Sequence, residues 1–510
     1  MASQPGRWRR EARPSPGLPP APKEVYLAAP ALRRFDWTRL AIIALGLVAF
    51  CAIYFAPHLP DAVDVHGQRF TLSREGQGAL ALFVLGVLWW GFEVVPIGVT
   101  GLALGVLQSV LHIRPAGQAL GDFLDPAVCF VLGSFVVGMA FARTGLTQRI
   151  AYPLLAAFGE RTAFIYLGAF ATTSLLALVM AHTAAAAAVF PLLMALYPLY
   201  DEGRQPTRFG KGLFIGMAMT AGAASIVTLL GSGRAAVAAG FFGQMGSREV
   251  PFYEVTYYLL PLGLALLLTL WLLMLALFTP EKRSIPGLRQ RLLGIRRKLG
   301  PISARELTAL AIVGAMLLAL GAESFAPGLA PHKAAVVLGA GVALFLARVL
   351  DIEDLEAIPW NIVLLFGGAM SLGLCLWQTG AARWLAVEGL ALWGHAHWLA
   401  FVLALALVVL VLTNFVMNVA LLALALPIGL VTAPYLGLAP EVVFYSVLAA
   451  AGLPLLLLIG AAPNAMAYES RQFTSREFLR AGVPASAAVM AVLALFVLVV
   501  WPLMGMPIHL

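Results

Sequence analysis

Long runs of almost unbroken apolar residues recur along the chain. The clearest are Trp37–Pro57, Ala79–Val94, Phe252–Phe278, Leu307–Leu320, Ala334–Leu350 and Phe401–Val411. They reach or approach the roughly 20 residues a helix needs to cross a bilayer. They are continuous rather than alternating, which predicts transmembrane helices and argues against a β-barrel. The polar interruptions are equally informative. In "LVMAHTAAAAAVFPLL", Leu178–Leu193, a histidine and a threonine sit inside apolar sequence ahead of a proline. "TNFVMNVALLALALP", Thr413–Pro427, has a similar dent, and "GSGRAA" (Gly231–Ala236) and "GAAPNA" (Gly460–Ala465) are glycine-containing breaks. Non-helical backbone at membrane depth survives only where protein or a water-filled cavity satisfies it. Four such places predict a shared binding site. Helix packing alone accounts for Gly133 and Gly138 but poorly for Arg234 and Asn464.

The interruptions recur in order. "VLGSFVVGMAFARTG" ends at Gly145 and "LFGGAMSLGLCLWQTG" at Gly380; an offset of 235 superposes Gly133 on Gly368, Gly138 on Gly373 and Thr144 on Thr379. An offset of 236 then places His182 on Asn418 and Pro191 on Pro427, and "TLLGSGRAA" faces "LLIGAAPNA". A repeat of this length holds five spans and one re-entrant segment. Five is odd, so the copies point in opposite directions, a common plan for secondary transporters with the site between discontinuous helices. The expected fold is an all-α polytopic membrane protein, an inverted repeat of about eleven transmembrane helices and two re-entrant hairpins. The expected parts are a basic, Pro-rich arm (1–36), a first half (37–278) with a hairpin near 162–199, a basic loop (279–306), and a second half (307–510) with a hairpin near 396–436.

Composition agrees: 61% of the 510 residues are hydrophobic and 11% charged, which excludes an ordinary soluble protein. The net charge of +8 is concentrated before the first span and in the 279–306 loop. That reads as positive-inside topology rather than nucleic-acid binding, with both segments expected in the cytoplasm; the basic arm and the few cysteines are compatible with a cell inner membrane. The final "PLMGMPIHL" has no Lys or Arg, which suits an outside C-terminus. The first 36 residues do not read as a cleavable signal peptide. Cys51, Cys129 and Cys375 lie in apolar runs without CxxC spacing. No zinc motif, P-loop or HExxH occurs, so neither a cofactor nor an enzymatic activity is expected, and nucleotide-driven transport would need a separate subunit.

"WWGFEVVPIGVTGLAL" carries a Trp-x-x-Glu-x-x-Pro pattern at Trp90, Glu93 and Pro96. Together with "IPWNIVLLFGGAMSLGLCLWQTG" and "TNFVMNVALLALALP" it resembles the divalent anion:sodium symporters, over about Ser73 to Pro502. The resemblance implies an elevator-type homodimer for dicarboxylates, citrate or sulfate, with a scaffold domain and a moving transport domain. It also implies two hairpin tips reading Ser-Asn-Thr, which here align with Ala181-His182-Thr183 and Met417-Asn418-Val419. The family's Gly-Thr-Pro-Pro-Asn-like breaks fall on Gly231 to Ala235 and on Gly460, Ala461, Ala462, Pro463 and Asn464.

On this resemblance the anion ligands are His182, Thr183, Ser232, Arg234, Asn418, Pro463 and Asn464. The places that hold Na⁺, or its replacement, are Ala181, Gly231, Thr413, Asn414, Met417, Gly460 and Ala461. Na⁺ wants neutral or anionic oxygens and a guanidinium repels it. Two hairpin-tip hydroxyls are lost, at Ala181 and Met417. The departures therefore point to anion exchange, or to proton coupling through His182, with Na⁺ as the lesser candidate. Val419 lacks a hydroxyl for a second carboxylate, which suits a smaller or asymmetric anion. The rival reading is a binding or regulatory membrane protein that kept the fold without transport; an intramembrane enzyme lacks any catalytic constellation. His182 itself has an alternative role as a packing residue, and Arg234 as a cation reaching a membrane face.

Overall fold

The structure, a computed structural model, describes residues 37–63, 68–201, 205–245, 248–322, 331–393 and 397–510. The expected basic arm of residues 1–36 and position 396 of the second expected hairpin lie outside them. Helix α1, Trp37–Tyr54, buries only Gly46 and Phe50. A two-residue pair of strands, β1 (Ala62–Val63) and β2 (Arg69–Phe70), leads to α2, Arg74–Gly91, which Ser73 caps by accepting from Gly76 N–H at 3.0 Å. Then come α3 (Ile97–Val110), α4 (Ala116–Gly121) and α5 (Pro126–Thr144). The α5 helix stops at Gly145, left-handed at φ 83°, where a side chain would be strained. Helix α6 (Leu146–Ala157) follows, then α7 (Thr162–Ala177) and α8 (His182–Leu196), α9 (Arg208–Ser225) and α10 (Gly233–Gln244), and α11 (Phe252–Leu277).

The basic loop contains α12, Leu288–Lys298. Beyond it the order recurs. After α13 (Ala304–Ala322), α14 (Lys333–Leu346) and the short α15 (Ile352–Glu356), α16 (Trp360–Gln378) matches α5 in length at 19 residues. It ends before Gly380, again left-handed at φ 77°. Helix α17 (Ala381–Trp393) precedes α18 (Trp398–Leu412) and α19 (Asn418–Tyr435), α20 (Pro440–Ala451) and α21 (Ala462–Tyr468), and α22 (Ser475–Leu495), which runs on to Leu503. The four interruptions fall between α7 and α8, α9 and α10, α18 and α19, and α20 and α21, where the polar dents and glycines predict them.

Among the described residues eight helices are long and apolar enough to cross a membrane, and five more apolar helices are shorter. Three of the five shorter ones, α7, α18 and α20, end at a break. The molecule is an all-α polytopic membrane protein. Its tightest crossing joins α3 to α16: a Cβ on Gly101 would lie 2.7 Å from the Leu364 carbonyl and 3.2 Å from Gly368 Cα. Only glycines allow this approach. Arg114 closes one end of the crossing, 2.8 Å from Asp122, 2.9 Å from Gln378 Oε1 and 3.1 Å from Gln108 Oε1.

Candidate functional site

The four breaks meet around a cavity of about 330 Å³. Ala181, His182 and Thr183 line it from the first hairpin tip, and Asn414 to Val419 from the second. Ser232, Gly233 and Arg234 come from the α9–α10 break, Ile459 to Ala462 from the α20–α21 break, and Ile362, Leu365 and Phe366 from α16.

Each tip is bonded to its neighbouring break. In the first half the Thr228 hydroxyl donates to the Leu178 carbonyl at 2.6 Å and accepts from Gly231 N–H at 2.9 Å. Gly231 lies so close to the Ala177 carbonyl that a Cβ would overlap it. In the second half the Asn414 carbonyl oxygen accepts from Leu456 N–H at 2.7 Å and Leu457 N–H at 3.1 Å, while its amide donates to Leu410 and Val411 carbonyls. A Cβ on Gly460 would sit 2.6 Å from Pro454 Cβ and 3.2 Å from Asn414 Cα. The two halves thus use different polar residues for one job, clamping tip to break.

Arg234, the second residue of α10, is 2% exposed. Its Nη2 donates to Ser225 Oγ at the last turn of α9. The guanidinium packs against Gly452, just after α20: a Cβ there would stand 2.7 Å from Nη2. The Nε–H has no partner. None of the ion pairs among the described residues involves Arg234. A buried cation therefore lies against the C-terminal ends of two broken helices, α9 and α20, where the backbone dipole presents partial negative charge.

His182 is the first residue of α8 and half-buried. It borders the main cavity and also a void of about 10 Å³, room for about one water, shared with Gly222, Gly452, Pro463 and Asn464. Asn418 opens α19; its side-chain carbonyl oxygen accepts from the Thr413 hydroxyl at 2.5 Å, and that hydroxyl also lies 3.0 Å from the Ala451 carbonyl. Helices α8, α10 and α19 all begin at the cavity, and none has a side-chain N-cap. Their free N–H groups and positive dipole ends suit an anion.

The structure brings Ala181, His182, Thr183, Ser232, Arg234, Asn414, Met417, Asn418, Gly460 and Ala461 to the cavity wall. Pro463 and Asn464, expected as substrate ligands, line the small void behind it instead. The Asn464 amide donates to the Pro454 and Leu457 carbonyls at 2.8 and 3.0 Å, so its donors are occupied. Gly231 and Thr413 stand behind the cavity as packing and hydrogen-bonding residues. Sequence reasoning missed Ser225 and Thr228, whose hydroxyls are unremarkable in an apolar helix, and the apolar wall of Phe135, Ile362, Leu365 and Phe366. Glu93 of the Trp-x-x-Glu-x-x-Pro pattern also borders the cavity, with a left-handed backbone at φ 48°. That conformation is uncommon for a residue other than glycine.

The oxygens near the breaks bear on cation binding. Thr228, Ser225, Thr413 and Asn414 all have their side-chain oxygens committed to protein partners. A cation at these oxygens would compete with those partners, beside the Arg234 guanidinium.

Broken apolar helices whose uncapped N-termini meet a buried arginine at one cavity suit a membrane transporter for small anions. The family model "Sodium:sulfate symporter transmembrane region" matches residues 37–507, and the chain belongs to that family of transporters. A "Sodium-dependent dicarboxylate transporter SdcS" of Staphylococcus saprophyticus is 24% identical over 470 residues, 86% of this chain and 89% of that protein. A "Membrane protein" of Cupriavidus necator is 25% identical over 507 residues, 94% and 95% of the two chains. Among solved structures, Neisseria gonorrhoeae MtrF aligns with a TM-score of 0.56 at 13% identity, covering 92% of this chain and 96% of the other. The Alcanivorax borkumensis YdaH transporter gives 0.55 at 15%, covering 93% and 98%. These last two share the fold.

Proposed function

We propose that the chain is an elevator-type exchanger of small dianions. C4 dicarboxylates such as succinate or malate rank first, with citrate- and sulfate-type anions in the same class. The names of the staphylococcal relatives support the substrate class. The cavity volume lies within the roughly 300–1,000 Å³ of ordinary small-molecule sites, and three uncapped helix N-termini supply donors.

Arg234 is the observation that carries the coupling. In the sodium-dependent relatives a mobile cation accompanies the anion. Here a tethered cation is fixed at the C-terminal ends of α9 and α20. Moving an uncompensated buried charge through the membrane is costly. With Arg234 alone a bound dianion turns one positive charge into one negative; with a proton on His182 as well the loaded site approaches neutrality and crosses, and the empty one does not. Exchange of one anion for another follows. The resemblance also supports a homodimer, which mass measurement in detergent checks.

The test is counterflow in proteoliposomes. Vesicles preloaded with unlabelled succinate should take up labelled succinate without Na⁺, and empty vesicles should not. Equal uptake into both would remove exchange. No uptake with any dicarboxylate, citrate or sulfate would leave a regulatory membrane protein.

A further inference from the structure

The loop between α11 and α13 holds a second concave site. Helix α12 buries Leu288 and Leu292 against α6 and presents Arg289, Arg291, Arg296, Arg297 and Lys298 as exposed residues, with no Asp or Glu in the helix. None of these five cations takes part in an ion pair among the described residues. Three of them suit the helix C-terminus, where cations complement the dipole. That does not explain the groove. An open hollow of about 500 Å³ is lined by Arg149, Leu293, Arg296, Arg297, Pro301 and Ile302. Its floor is rigid: Arg149 donates to both Glu306 oxygens at 2.8 and 3.1 Å and to the Gly300 and Pro301 carbonyls at 2.9 and 3.1 Å. That leaves Arg296 and Arg297 as its uncompensated charges.

The groove stands at the membrane surface. Helix α13, an apolar helix long enough to span, begins at Ala304, two residues beyond Ile302. Ile302 is exposed, and α13 continues with the exposed Leu307, Leu310, Leu317 and Leu318. A cationic hollow with an apolar lip, beside a lipid-facing helix, matches an amphiphile with an anionic head and acyl tails. A free phosphate would make no use of the apolar lip. We propose that this groove binds the headgroup of an anionic phospholipid, with Arg296 and Arg297 on its phosphate and the acyl chains along α13. This site is separate from the transport cavity and does not depend on the exchange reading.

At 100° per residue Arg296, Leu293 and Arg297 share one flank of α12, whereas Arg291 and Lys298 lie on the other. That provides a control that removes equal charge. The test is native mass spectrometry of the full chain in neutral detergent, titrated with dioleoyl phosphatidylglycerol, dioleoyl phosphatidylcholine and, as a soluble head, glycerol 1-phosphate. The wild type should retain phosphatidylglycerol over phosphatidylcholine. The double variant R296Q/R297Q should weaken that binding by about twenty-five-fold, at about fivefold for each arginine. R291Q/K298Q should bind as the wild type does. Equal losses in the two doubles would reduce the effect to general surface charge and overturn the site. So would competition by glycerol 1-phosphate at the lipid's own concentration, or the absence of any preference between the two lipids.

Discussion

Arg234 and His182 carry the chemistry at the residue scale. Arg234→Ala should weaken succinate binding at every accessible pH, because guanidinium does not titrate there. A charge-assisted hydrogen bond is worth roughly 1.5–3 kcal/mol, or about tenfold to over a hundredfold in affinity. His182→Asn restores the residue of the resembling family and should keep binding. If a proton on His182 accompanies the dianion, affinity in the wild type should strengthen as pH falls from about 8 to 5, and the variant should lose this slope. Calorimetry across that range decides it, and identical profiles would return His182 to packing. Both residues were legible in the sequence because a charge in an apolar run stands out. The partners were not. Ser225 and Thr228 look like ordinary membrane-helix hydroxyls. Asn464 looked like a ligand until its donors proved occupied by the Pro454 and Leu457 carbonyls. Spacing along a chain does not tell which way an amide points.

At the scale of elements the tip-to-break clamps matter most. Asn414→Ala would leave the Leu456 and Leu457 N–H groups without their acceptor. An unsatisfied buried group costs about 1–3 kcal/mol, so thermal stability should fall even without substrate. Substrate should then stabilise the variant less than the wild type, because the break that presents α21 is loosened. Unchanged melting in both states would show that the clamp is idle. Outside the membrane, Glu281 anchors the start of α9: its carboxylate accepts from Arg208 N–H at 2.5 Å, Phe209 N–H at 3.2 Å and the Tyr200 hydroxyl at 2.8 Å. Burial pushes this carboxyl up, but these donors outweigh it and hold the pKa below the ordinary 4.5. A lowered folded pKa gives stability that is present above the unfolded value and lost as pH falls through the folded one. Glu281→Gln should therefore cost about 1 kcal/mol at pH 7, as a lost helix cap does, and the difference should vanish well below pH 4. A constant difference down to pH 3 would contradict the anchor. The elements were legible where glycine set them: the paired Gly145 and Gly380 both end helices in the left-handed region. The clamps were hidden, since threonine does in one half what asparagine does in the other.

On the scale of the whole molecule, the repeated order of broken helices supports eleven spans with two re-entrant hairpins. On that topology the 279–306 loop is expected to face the cytoplasm. A cysteine placed at Lys298 should react with an impermeant reagent only from the inner face; reaction only from outside would invert the topology. The repeat was readable because glycine and proline punctuate it. The cavity wall of Phe135, Ile362, Leu365 and Phe366 was not, because packing between distant apolar helices leaves no mark on composition. On the proposed exchange, Arg234 provides the positive charge that Na⁺ provides in sodium-dependent relatives. Its most direct test is the affinity for succinate measured by calorimetry in NaCl and in choline chloride at equal ionic strength. The affinity should be the same in both. A steep, saturable Na⁺ requirement in the wild type would contradict it.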